Sequence, residues 1–301
     1  MKNKIQNPLI WHLIAVVIVA IWGTTFISTK VLIHHGLRPE EIFFLRFTIA
    51  YIGIWLVSPH KLFADSWRDE GQLLIAGIMG GSAYFLTENT ALGITLATNV
   101  SFIVCTAPLL TILLLLLLKK SHPTLKPLFI GSALALVGVA LVVFNGSFVL
   151  KISPLGDLLS FTAALTWAFY TLSVNGMMKK YDGVFVTRKV FFYGLLTILS
   201  VFLFRPWSFP LAGLLETVVA GNLLFLGVLA SLLCYAVWNV VIDKLGSIES
   251  SNYIYLNPIF TLIGSALFLD EKLTWLAFVG IAFILIGVAW AARAKKESQN
   301  S

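Results

Sequence analysis

LLTILLLLLL at residues 109–118 and VLASLLCYAVWNVV at 228–241 are unbroken apolar runs of helical length, and runs of this kind follow one another along the whole chain. They constrain the fold more than any other feature. A hydrocarbon core about 30 Å thick is crossed by roughly 20 apolar residues of helix, and only a helix or a closed barrel satisfies its own backbone there. Ten candidate spans can be marked, at 10–33, 39–58, 71–92, 96–118, 127–145, 155–175, 185–204, 219–241, 248–269 and 274–292. Almost nothing is left over for a soluble domain. Composition agrees: 58% hydrophobic residues, 12% charged residues and a mean hydropathy of +0.92 lie outside the range of water-soluble domains. A transmembrane β-barrel would show short segments of alternating polarity, which these runs do not. The expected fold class is an all-α integral membrane protein with ten transmembrane helices.

The first run follows MKNKIQNP and resembles a signal peptide, but it is longer than a typical signal core and no small-residue cleavage site closes it. It is read as the first spanning helix. The net charge of +7 would suggest nucleic acid in a soluble chain, so the placement of the 21 lysines and arginines decides. With the N-terminus in the cytoplasm, 13 of them fall in inner loops and tails, among them Lys61, Lys119, Lys120, Arg293 and Lys295. Only 4 fall outside: Arg38, Lys151, Arg205 and Lys272. The positive-inside rule then puts both termini in the cytoplasm and accounts for the basic charge without a nucleic acid. Cys105 and Cys234 lie within spans, where packing is a simpler role than a disulfide or a metal pair.

Sliding the chain against itself reveals a second order. At an offset of 150, Gly77 falls on Gly227, Asn89 on Asn239, Pro108 on Pro258 and Thr111 on Thr261; at 149, Gly131 falls on Gly280 and Gly138 on Gly287. Toward the N-terminus the offset shrinks, to 145 for Trp22 on Trp167 and 142 for Arg46 on Arg188, as loops of unequal length require. The expected organisation is two five-helix repeats, 1–147 and 148–301. Five is odd, so the second copy enters the membrane from the opposite side. Inverted repeats are common in secondary transporters, whose substrate site lies between the copies near the midplane. Pro108 and Pro258 each stand roughly ten residues into a span, and each frees a carbonyl one turn earlier, at Val104 or Ile254. At matched depths in opposed copies they are expected to serve as hinges or to wall a cavity.

IWGTTFISTK in the first span, FFLRF in the second, TAPLL in the fourth, LNPIF in the ninth and DEKLTWLAFVGIAFILIGV around the tenth resemble the EamA branch of the drug/metabolite transporter superfamily. The resemblance runs over essentially the whole chain. It implies a ten-helix carrier of the bacterial inner membrane, in a family that includes many exporters of amino acids, metabolites or toxic compounds. One departure stands out: DEKLT, opening the last helix, is matched in the first half only by SHPTL.

The residues expected to touch cargo are the polar and aromatic ones on spans one, three, four, six, eight and nine: Trp22, Thr25, Glu88, Asn89, Asn99, Trp167, Tyr170, Asn175, Tyr235, Trp238, Asn239, Tyr253, Tyr255 and Asn257. Trp and Tyr also belt membrane interfaces, and Asn also bridges neighbouring helices. GIMGG and SALALVG read as small-residue faces that let helices approach closely, not as phosphate loops. Lys30, Arg46 and Glu88 are expected to share one layer of the outer half, where an unpaired charge costs several kcal/mol. Two readings of Glu88 stand: a fixed bridge to Lys30 or Arg46, or a site that exchanges a proton or a substrate ammonium. Arg46 should face the bundle; Arg188, nearer a span end, should snorkel.

The expected function is secondary transport of small organic solutes, export of amino acids or related metabolites first, with a toxic-compound exporter or an uptake carrier as alternatives. The five histidines, His12, His34, His35, His60 and His122, lie toward span ends or loops, and no HExxH spacing occurs. An intramembrane enzyme is therefore not expected, nor a signalling scaffold, which would need no inverted repeat. No cofactor or metal is expected. The partners are the solute and the lipid bilayer, with no nucleic acid, and the chain is a monomer or a weak homodimer.

Overall fold

The computed structural model describes residues 8–57, 62–95, 97–118, 125–144, 153–268 and 274–300, and among them there is no strand. Ten helical rods follow one another: α1 (Pro8–His34), α2 (Pro39–Val57), α3 (67–94), α4 (97–117), α5 (Leu125–Phe144), α6 (Pro154–Met177), α7 (Gly183–Phe204), α8 (217–245), α9 (247–268) and α10 (Trp275–Asn300). Their ends carry ordinary local signals. The Ser66 hydroxyl accepts from Asp69 N at 3.1 Å to cap α3, and Asp182 Oδ2 accepts from Val184 N at 3.0 Å to cap α7. Gly36, at φ +97°, lets Leu37 N reach back to Leu32 O at 3.1 Å and stop α1.

Four stretches are long and apolar enough, by length and composition, to cross a membrane: Leu9–His34, Asn99–Leu117, Gly183–Phe204 and Thr217–Leu245. Pro127–Val143 and Trp275–Ala291 are apolar but shorter. The ten expected spans are present as helices, but only these four are both long and apolar enough among the described residues. In α2 and α3 the physical reason is charge turned inward: Glu40, Glu41, Arg46, Asp69, Glu70 and Glu88 are all buried.

Four rods are irregular inside. In α3 a π-helical stretch, Ile78–Ser82, joins Trp67–Gly77 to Ala83–Ile94; in α8 another, Phe225–Leu233, joins Thr217–Leu224 to Cys234–Leu245. α4 breaks between Ala97–Val104 and Ala107–Leu117, just before Pro108. α9 passes through a 3-10 turn, Tyr253–Leu256, just before Pro258. The Ile254 carbonyl, which Pro258 cannot serve, accepts from Cys105 Sγ at 3.5 Å, so the two breaks touch each other. Both cysteines are buried and free, which agrees with a packing role.

Packing pairs unlike rods from the two parts of the chain. α1 lies on the Asn257–Phe268 part of α9, and α6 lies on α4; α2 lies on the π stretch of α8, and α7 on that of α3. The closest approach is α5 on α10. A Cβ on Gly138 would stand 2.5 Å from Gly280 O, and one on Gly287 would stand 2.5 Å from Gly131 O. Residues that match in sequence, Gly131 with Gly280 and Gly138 with Gly287, thus cross over in contact. Small residues that let backbones meet are what helix packing in lipid requires, and GIMGG behaves alike, with Gly81 against Gly194.

Each end of the bundle is tied. Where α3 begins, Asp69 takes Lys180 Nζ at 2.6 Å and the Tyr181 hydroxyl at 2.8 Å, and Glu70 takes Lys189 Nζ, the Tyr193 hydroxyl and Ala64 N. Where α2 begins, Glu41 accepts from Ser208 N at 2.7 Å and Phe209 N at 3.1 Å. Lys2, Lys4, Lys61, Lys119, Lys120, Lys151, Lys272, His60, His122, the first four residues of DEKLT and of SHPTL, and the boundary at 147 lie outside the described residues.

Candidate functional site

A cavity opens in the middle of the bundle where α1, α2, α3, α6, α8 and α9 converge. Its walls are mostly aromatic: Trp22 and Phe26 from α1, Tyr84 and Phe85 from α3, Trp167 from α6 and Tyr235 from α8, with Ile254 of α9. The rings interlock edge to face. Trp22 meets Trp167 at 5.3 Å and Tyr235 at 5.7 Å between centroids, and Tyr84 meets Trp167 at 5.1 Å. Four polar side chains complete the lining: Thr25, Arg46, Glu88 and Asn257. The cavity holds about 40 Å³, room for a few waters and no more.

The groups that touch Arg46 directly are neutral. Its Nε donates to Ser231 Oγ at 2.9 Å, and its guanidinium lies 4.2 Å over the Phe85 ring. Glu88 is held by Tyr84, one helical turn before it, whose hydroxyl donates to Oε1 at 2.7 Å. The two charges share one cavity, yet no ion pair within 4.0 Å joins them. Asn257 Oδ1 and Trp167 Nε1 are buried without partners. Unpaired polar groups are costly in a dry interior, so this set is built for water or for a ligand.

Two of the aromatic walls reach past the cavity into the π stretches. Trp22 Nε1 donates to Ala230 O at 3.0 Å, and the Tyr235 hydroxyl donates to Gly80 O at 2.7 Å. Gly80 and Ala230 stand 150 residues apart, the same offset as the matched prolines. A π turn draws carbonyls out of the regular ladder, and here one in each stretch is taken up by a ring that also faces the cavity. Whatever displaces Trp22 or Tyr235 from the cavity therefore breaks a bond to the backbone of α8 or α3.

The profile of the EamA-like transporter family matches twice, over residues 9–144 and 154–293. The chain belongs to this family. Similar proteins include an uncharacterised transporter of Archaeoglobus fulgidus, 28% identical over 92% of this chain and 95% of its own. A probable amino-acid metabolite efflux pump of Escherichia coli is 23% identical over 91% and 92%. A probable terminal-alkyne amino-acid exporter of Streptantibioticus cattleyicolor is 23% identical over 93% and 91%. A solved crystal structure aligns with a TM-score of 0.70 over 96% of this chain and 98% of its own at 18% identity, which shows a shared fold. Family members are integral membrane transporters, and the names point to transport, not to an enzyme.

Set against this EamA-like transporter, the expected cargo residues divide. Trp22, Thr25, Glu88, Trp167, Tyr235 and Asn257 line the cavity. Tyr170, Trp238 and Asn239 lie behind it. The Tyr170 hydroxyl donates to Asn239 Oδ1 at 2.5 Å, Asn239 Nδ2 donates to Thr187 at 2.8 Å, and Trp238 backs Trp22 at 5.0 Å between centroids. Asn89 lies outside the lining, its Nδ2 donating to Pro39 O at 3.3 Å and its Oδ1 buried without a partner, and Tyr253 is bonded to His12 Nδ1 at 2.5 Å. Asn99, Asn175 and Tyr255 do not line the cavity. Phe26, Tyr84, Phe85 and Ile254 do line it and were not expected as cargo residues; of these Ile254, one turn before Pro258, and Tyr84, four residues before Glu88, gave a signal in the sequence.

The charge layer is corrected in the same way. Arg46 and Glu88 meet at the cavity, but Lys30 lines a separate cleft with His34, Leu92 and Thr95, and the fixed bridges from Lys30 or Arg46 to Glu88 are not formed. Lys30 lies one helical turn beyond Phe26, as Leu92 lies one turn beyond Glu88, so both belong to the next layer. Arg188, expected to snorkel, is instead buried, its guanidinium 4.9 Å over the Trp55 ring.

Proposed function

We propose that this EamA-like chain is a secondary transporter of the bacterial inner membrane that exports amino acids or related small metabolites, with both termini in the cytoplasm. In this reading the segments 1–147 and 148–301 are inverted copies. They pivot at Pro108 and Pro258 to expose the central cavity to one side and then to the other, and Glu88 couples the cycle to protons. Several observations support it: the double family match, the crossed glycine contacts of α5 and α10, the breaks before both prolines, and relatives named as exporters of amino acids or their metabolites. Contacts that cross over between matched residues are what a two-fold axis produces.

The observation that carries the coupling role is that Glu88 faces the cavity hydrogen-bonded to a tyrosine and outside ion-pair distance of any cation among the described residues. A braced structural carboxylate would be paired; a carboxylate that must take up and release a proton has to be left accessible. Glu88→Gln keeps shape and hydrogen bonding and removes the charge. In proteoliposomes it should fold and still bind solute, about tenfold more weakly, yet lose the dependence of transport on a pH gradient. A well-folded Glu88→Gln protein with normal proton-driven transport would eliminate the role.

A further inference from the structure

The two charged groups in the cavity are each half-committed. Arg46 spends Nε on Ser231, and its terminal nitrogens make no hydrogen bond among the described residues. Glu88 spends Oε1 on Tyr84, and Oε2 accepts no hydrogen bond among the described residues. Facing the same space are one further free acceptor, Asn257 Oδ1, and one further free donor, Trp167 Nε1. A cavity for a cation would carry acceptors alone, and one for an anion donors alone. This cavity carries both, kept apart, between aromatic walls.

We infer that the cavity recognises a zwitterion by both poles at once: the Arg46 guanidinium takes a substrate carboxylate, Glu88 with Asn257 takes its ammonium, and the apolar side chain lies among Trp22, Phe26 and Trp167. The inference rests on the proposed export of amino acids and goes further, because it assigns the poles and makes each of them obligatory. A guanidinium held at Nε presents its two terminal nitrogens as a fork, which suits the two oxygens of a carboxylate. A group lacking one pole leaves the opposite charge buried and unpaired, and that penalty gives rejection as well as recognition. With room now for only a few waters, entry of the solute must also turn the aromatic walls outward, and among them are the two rings bonded to the π stretches.

The test uses the full chain in proteoliposomes. The probes are leucine, phenylalanine and methionine, each set beside its decarboxylated amine and its deaminated acid as a competitor of the parent's transport. The expected result is that the parent competes at least about tenfold better than either analogue, the loss of one charge-assisted pole. Arg46→Gln should weaken the parent by a similar factor and leave the amine nearly unaffected, and Glu88→Gln should do so for the parent and spare the acid. Arg46→Lys, which keeps the charge and loses the fork, guards against a variant that fails to fold and should fall between. If the wild type moves none of the three amino acids, the export reading and this site fall together. If it moves them and the amine or the acid competes equally well, export stands and the two-pole assignment is overturned.

Discussion

At the scale of single residues the buried charges divide into those tied to partners and those left open. Asp69 is of the first kind: it stands two residues before the expected third span, and the Lys180 ammonium, then the Tyr181 hydroxyl, hold its carboxyl below the usual range. The sign follows from linkage. A carboxyl depressed in the folded state contributes stability that is fully present above its unfolded value, about 3.9, and is lost as pH falls through the lower folded value. Asp69→Asn should therefore melt below the wild type at pH 7, and the gap should close as the pH drops below about 4. A gap that stays constant from neutral to strongly acid pH would show that the Lys180 contact contributes nothing. Glu88 is of the second kind, and it was legible from the sequence because a charge in an apolar run has few places to go. Its neighbours were less so. Counting residues from an assumed span end gives depth only to about a turn, and Lys30 was placed in the wrong layer by that margin. Arg188 was misjudged by the same rule, since depth along a helix does not say which rings close over a side chain.

At the scale of elements, the ten rods and the small-residue faces could be read from hydropathy and glycine spacing, because in lipid both report directly on what a helix must bury. The π stretches could not. IMGGS and FLGVLASLL have the composition of ordinary apolar helix, and the extra residue per turn is stabilised by tertiary bonds to Trp22 and Tyr235 that no local pattern encodes. The α5–α10 contact offers a clean test of the packing argument. Gly138→Ala puts a methyl 2.5 Å from Gly280 O and 2.6 Å from Ile284 N, backbone atoms that cannot step aside. It should cost about 1–3 kcal/mol and lower the melting temperature in detergent. Gly221→Ala on α8 meets nothing within 4 Å and should be neutral or gain about 0.5–1 kcal/mol, the helix-propensity difference. Equal melting temperatures for the two variants would refute the close approach.

At the scale of the whole molecule, the two proline breaks are joined through Cys105 and Ile254, so a pivot at one is felt at the other. Pro108→Ala or Pro258→Ala restores a backbone donor, straightens one rod and should bias the molecule toward one facing state. Single cysteines placed at the two ends of the bundle and labelled from either side of the membrane would report it; unchanged labelling together with full transport in both variants would remove the hinge. The size of the central cavity has a consequence for the cell that houses it. With space for only a few water molecules between its interlocked rings, the central cavity is too small to carry a file of water across the bundle. An idle copy should then insulate, and a planar bilayer packed with it should show the conductance of bare lipid.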